Sequence, residues 1–296
     1  VGEAAFEGAG SEARFRERLL ALEIPEVRQD YGPDQAILYA LGCGVGLDPL
    51  DEAQLPFVYE ERGFAVLPSF ATVLGHPGFW ARDLDSGIDW LRVVHGEQGL
   101  RLHRPLPVAG EVRGKSRVVE VIDKGEGRGA LVYVERSLTD AADEAPLATL
   151  TQTLFCRGDG GFGGPQGPAR RPPAVPDRPA ELRCALPTSP QSALIYRLSG
   201  DRNPLHADPA VARKAGYERP ILHGLATFGL VCHALQRSLG PERPAALTAM
   251  DCRFSAPVYP GETVETEIWD LGKAAYAFRA RVGERVVLDN GRAEWR

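Results

Sequence analysis

The chain has no pair of cysteines at metal-ligand spacing. Its five cysteines, Cys43, Cys156, Cys184, Cys232 and Cys252, are odd in number and scattered. That argues against a disulfide framework and against a zinc site of the C-x-x-C type. Reduced, mostly buried thiols in a cytosol-like compartment are expected. Long apolar runs are missing as well. The longest, near "ILYALGCGVGL", is shorter than the ~20 residues a helix needs to cross a bilayer. No membrane insertion is expected. The opening residues, "VGEAAFEGAG", lack the basic stretch and apolar core of a secretory signal, and "AEWR" is not the S-K-L peroxisomal address. These features predict a cytoplasmic protein, or a peroxisomal one if the chain is part of a longer eukaryotic protein. Positive charge is also in short supply. The formal net charge is -6, which argues against a nucleic-acid partner.

The chain does contain 296 residues, 44% of them hydrophobic, as a soluble protein of two domains would. The stretch "RGDGGFGGPQGPARRPPAVPDRP" is dense in glycine and proline and carries no amphipathic period. It predicts a division into residues 1–156, an irregular linker over 157–180, and a second domain over 181–296. The linker holds a G-x-G-x-x-G match at Gly158, Gly160 and Gly163. A dinucleotide fingerprint needs a helix opening on its last glycine, and here prolines follow instead. No cofactor is expected.

The two halves echo each other. Tyr39-x-Leu41 matches Tyr196-x-Leu198, "LPSFAT" matches "LHGLAT", and "RPLPVAGEV" matches "APVYPGETV". The offsets are 157, 155 and about 152 residues, in order along the chain, which argues for an internal duplication. Each half reads as a short helix, a loop, a longer apolar helix, and then alternating strands such as "VRGKSRVVEVID" and "TVETEIWDL". That order predicts an α+β fold.

Chemistry concentrates in "YRLSGDRNPLHAD". Pro204 turns the chain, so Asp201 and His206 lie on opposite arms of the turn. A carboxylate and an imidazole around one water form a competent proton-transfer pair, and Asn203 can hold that water. A capped turn with an exposed His206 explains the same residues equally well. In "PILHGLATFG", Gly224 stands where a helix N-terminus would offer a backbone N–H to a thioester oxygen. Packing alone also accounts for a glycine there. No G-x-S-x-G elbow surrounds Ser192 or Ser199, which argues against a serine hydrolase.

These motifs, with "HGEQGLRLHRPLP", "VIDKGEGRGA", "GGFGG" and "RFSAPVYPGET", resemble the (R)-specific, type 2 enoyl-CoA hydratases, or MaoC-like dehydratases, in their two-domain eukaryotic-type form. The resemblance implies a double hot-dog fold, two α+β halves each with a long helix wrapped by an antiparallel sheet. It implies a metal-free lyase, placed in fatty acid breakdown, that hydrates trans-2-enoyl-CoA to (3R)-3-hydroxyacyl-CoA as a homodimer. Asp201 and His206 would be the dyad, Asn203 would orient water and Gly224 would supply the oxyanion N–H. His95, Gly96, Lys124 and Phe254 would contact the acyl-CoA. The first half departs from the motif. Gly44, Gly46 and Pro49 stand where the second half has Asp201, Asn203 and His206, and Ser69 stands for Gly224. A half without a dyad is free to accommodate a bulky acyl chain. Two other classes remain open: a dehydratase or thioesterase for another acyl carrier, and a hot-dog protein that only binds acyl-CoA.

Overall fold

Alternation of apolar and polar residues sends one side of each strand inward and the other to water. In the computed structural model, which describes residues 15–164, 173–240 and 246–296, this pattern builds one continuous antiparallel sheet. The first half contributes β1 (Val27–Tyr31), β2 (Val93–Leu102), β3 (Gly110–Asp123), β4 (Ala130–Asp140) and β5 (Pro146–Cys156). The second contributes β6 (Leu182–Pro187), β7 (Leu247–Phe254), β8 (Thr263–Gly272), β9 (Ala275–Val282) and β10 (Arg285–Trp295). The strand order is β1-β3-β4-β5-β2-β7-β10-β9-β8-β6. The halves meet at β2 and β7, where Gly99 pairs with Asp251, 152 positions later. Duplicated positions therefore face each other across the junction, as a pseudo-twofold axis requires. The same symmetry brings Tyr39, on helix α1 (Pro33–Gly42), to 5.7 Å between ring centroids from Tyr196, on α2 (Ser192–Tyr196).

The long helix expected in each half is present in only one. Helix α4 (Gly224–Leu239), which follows the short α3 (Pro209–Lys214), is buried from Ala226 to Gln236 without interruption. A helix buried all round has no need of a polar stripe, and "GLATFGLVCHAL" has none. In the first half the counterpart is a 3-10 turn of six residues, Pro68–Val73. The sequence stops it at once, because Gly75-His76-Pro77-Gly78 cannot continue a helix. Gly75 also has φ +55°, and a Cβ there would lie 2.8 Å from the Gly114 backbone of β3. The chain passes so close to the sheet at this point that only glycine fits.

The buried residues form two clusters. The larger runs through both halves and includes Tyr39, Phe70, Leu100, Leu138, Leu150, Phe228 and Leu230. The smaller lies within the first half around Trp80, Val121, Val134 and Leu154. The start of the glycine-rich linker is not loose. Asp123 accepts hydrogen bonds from the backbone N–H groups of Gly125, Gly161 and Gly163 at 2.8–2.9 Å, which hold its carboxyl below the usual range against the opposing pull of desolvation. The apparent dinucleotide motif thus cradles an anion supplied by the chain itself. Residues 165–172 of the expected linker lie outside the described residues.

Candidate active site

The turn at Pro204 behaves as the sequence dictates. The Asp201 carboxylate accepts the Asn203 N–H at 3.0 Å, and Asn203 Oδ1 accepts the Leu205 N–H at 3.0 Å. Asn203 therefore caps the short 3-10 helix Pro204–His206. Its oxygen is committed to the turn, which leaves its NH2 group to meet a water. Asp201 and Asn203 are exposed, whereas His206 is buried at 8%. The alternative of a merely exposed His206 does not survive.

His206 is placed by two contacts. Its Nδ1 lies 2.8 Å from the Ile221 carbonyl, so Nδ1 carries the proton and Nε2 presents a lone pair. Its ring stacks on His223 at 3.7 Å between centroids and 27° between planes. His223 is the residue that sequence reasoning missed. It caps α4 immediately before Gly224, and its Nε2 lies 3.3 Å from the Asp201 backbone carbonyl. It thereby ties the Asp201 loop to the helix that holds Gly224. The only signal was its place in "LHGLAT".

Asp201, His206 and His223 bring one ligand atom each within 4.8 Å of one another. Two histidines and a carboxylate could hold a metal ion, but a metal needs imidazole lone pairs that converge. Near-parallel stacked rings project theirs side by side. The arrangement fits proton transfer better than ligation. Burial lowers the pKa of His206, against the opposing pull of the Ile221 carbonyl and of Asp201. Burial and the neighbouring His206 lower that of His223. Both rings are neutral near pH 7, as a base requires.

Gly224 opens α4, where the first N–H groups of a helix have no acceptor within it. Among the described residues no backbone carbonyl outside the helix takes the Gly224 N–H. A Cβ on Gly224 would meet the Phe254 ring at 3.2–3.5 Å. Phe254 in turn packs edge-on against His95, with ring centroids 4.7 Å apart. Gly96 sits at a register shift of β2 between His95 and Glu97, a bulge that re-aims the His95 side chain. Gly224, Phe254, His95 and Gly96 therefore form one wall, and the charge of Asp201 reaches His95. Lys124 stands apart, on the β3–β4 turn, where its N–H bonds the Gly129 carbonyl. The register through β4 and β5 puts that turn at the same end of the sheet as His95. No ion pair among the described residues engages Lys124. In the first half, Gly44 and Gly46 both have φ +83°, and with Pro49 they leave the counterpart loop without an acid or a base at the positions of Asp201 and His206.

The MaoC like domain matches residues 172–290, and the MFE-2 hydratase 2 N-terminal domain matches residues 30–158. The chain is 41% identical over 269 residues to 3-hydroxyacyl-thioester dehydratase Y of Mycobacterium tuberculosis, covering 88% of this chain and 91% of that protein. It is 36% identical over 303 residues to the peroxisomal enoyl-CoA hydratase 2 of Arabidopsis thaliana, covering 95% and 96%. A MaoC-like dehydratase from Phytophthora capsici superposes with a TM-score of 0.82 at 30% identity, over 95% of this chain and 98% of that one. With one antiparallel sheet built from two hot-dog halves and a turn in the second that brings Asp201 and His206 together, the chain belongs to the two-domain MaoC-like hydratase 2 family.

Proposed function

We propose that the protein catalyses the reversible hydration of a trans-2-enoyl-CoA to a (3R)-3-hydroxyacyl-CoA. The observation that carries this reading is the convergence of Asp201 and His206 beside Gly224, whose N–H meets no backbone carbonyl among the described residues. Water held between the carboxylate and His206 Nε2 loses a proton to the dyad as its oxygen bonds to C3. The electrons of the double bond move toward the thioester carbonyl, whose oxygen takes negative charge and meets the Gly224 N–H. The dyad then returns a proton to C2, so atoms and charge balance. The Phe254, His95 and Gly96 wall holds the thioester, and Lys124 reaches a CoA phosphate. On the same family ground we infer a homodimer. No helix of the described residues is long and apolar enough to cross a membrane.

A medium-chain trans-2-enoyl-CoA tests the reading. Loss of the enoyl-thioester absorbance with a 3R alcohol as product supports it. Release of free CoA would point to a thioesterase, and binding without consumption to a carrier. The pH profile adds a check. Because burial lowers the pKa of His206, the ring stays neutral below the ordinary histidine value of 6.5. The acid limb of kcat/KM is therefore expected below pH 6.5. A limb above that value would contradict a buried, neutral base.

A further inference from the structure

Four adjacent strands of the first half carry a polar residue at one level of their inner face. They are Ser116 on β3, Arg136 on β4, Gln152 on β5 and Gln98 on β2. Ser116 pairs with Arg136 and Gln98 with Gln152, while Arg136 and Gln152 are diagonal neighbours. On either side along the same strands the inward residues are apolar. Val134 and Leu154 belong to the smaller core cluster, Leu138 and Leu150 to the larger. A polar row thus separates two hydrophobic cores, where burial energy alone would place valine or leucine.

Arg136 is the costly member. It is 8% exposed, and among the described residues its guanidinium makes one hydrogen bond, to the Thr72 carbonyl at 2.5 Å. Its Nε has no acceptor among them. Among the described residues no carboxylate pairs with it. A buried, unpaired cation is destabilising unless something compensates it. Desolvation lowers its pKa to about 9, which leaves it charged at neutral pH.

The row lines a cavity that the 3-10 turn leaves open by ending early. Thr72 and His76 bound the cavity, and it extends to Leu225, the residue after Gly224. The Gln152 amide lies 3.4 Å from His95 Nδ1 in the wall of the candidate thioester seat. The cavity and the seat therefore share a wall. Its free volume is about 20 Å³, room for a single water, so the side chains at its rim must part even for the slender acyl chain, and the bulky, multiply charged CoA moiety is excluded.

We propose that Arg136 is a specificity-determining residue that receives an anionic acceptor, a carboxylate foremost, carried on the acyl chain of the thioester. Gln98, Gln152 and Ser116 supply the neutral hydrogen bonds around it. A guanidinium and a carboxylate can form two parallel hydrogen bonds, and a substrate carboxylate would neutralise the buried charge. The inference rests on the thioester reading of the Gly224 site.

Its test compares trans-2-enoyl-CoA pairs of equal chain length, one ending in methyl and one in carboxylate, over a series of lengths. At the length that reaches Arg136, kcat/KM for the carboxylate is expected to be at least about tenfold higher. Arg136→Met removes that preference and keeps the methyl-ended substrate within a few-fold of wild type. Equal rates for each pair at every length with the wild-type protein overturn the inference, even if Arg136→Met does not fold. An unchanged preference in a folded Arg136→Met protein overturns it too. Hydration of neither substrate defeats the function reading instead. The rise in melting temperature that each CoA ester gives the wild-type protein then decides the inference alone, and equal rises overturn it.

Discussion

Asp201→Ala is expected to lower turnover by at least about a hundredfold, the low end for a positioned proton-transfer group. Its carboxylate is exposed and, among the described residues, its one hydrogen bond is from the local Asn203 N–H, so the melting temperature should stay near that of wild type. His206 requires a gentler substitution. Truncation to alanine would remove a buried ring from its stack on His223 and leave the Ile221 carbonyl without its donor. His206→Asn keeps an N–H near the position of Nδ1 while deleting the basic Nε2. The same loss of at least about a hundredfold is expected, with the fold retained by circular dichroism. A folded Asp201→Ala protein with near-normal turnover would remove the mechanism.

Gly224→Val should be nearly as damaging, for a different reason. The N–H survives the substitution, but the new side chain meets the Phe254 ring, since a Cβ alone would lie 3.2 Å from it. Ring or thioester must move away from the donor. A displacement of about 1 Å can cost roughly a hundredfold in rate. Helix propensity runs the other way, because glycine is a poorer helix former than valine. Kinetics and thermal melting on one preparation separate the two roles. Lost activity with a retained fold assigns Gly224 to the site. A lowered melting temperature with normal activity per folded molecule would assign it to packing.

Sequence made some of this legible because local rules control it. Pro204 and the short side chains around it dictate a turn, and the structure has that turn with Asp201 and His206 converging across it. The alternating strands "VRGKSRVVEVID" and "TVETEIWDL" lie within β3 and β8. What stayed hidden depends on distant partners. His223 reads as an ordinary residue before a helix until the Asp201 loop folds against it. Arg136 occupies an inward position in "ALVYVERSLTD", yet its missing partner shows only once the sheet is closed. The first half was expected to carry a long helix, and Gly75 with Pro77 ends it after six residues. The match of "LPSFAT" to "LHGLAT" carried the helix of the second half over to the first, past those breakers.

The β2–β7 junction sets an order of assembly. Until β7 exists, β2 is a ten-residue edge strand with unpaired backbone groups, far longer than the five-residue β1 and six-residue β6 that form the finished edges. A long open edge invites pairing with the wrong chain. Helix α4, which fills the shared core, is also made after every strand of the first half. During synthesis β2 must therefore wait, one edge open, for a partner encoded more than a hundred residues downstream of it. Such distant pairings slow folding. β10, last of the ten strands in sequence, slots between β7 and β9 next to the junction, so the centre of the sheet closes last. The two-half architecture thus leaves the nascent chain with a period of exposure that chaperones would have to cover.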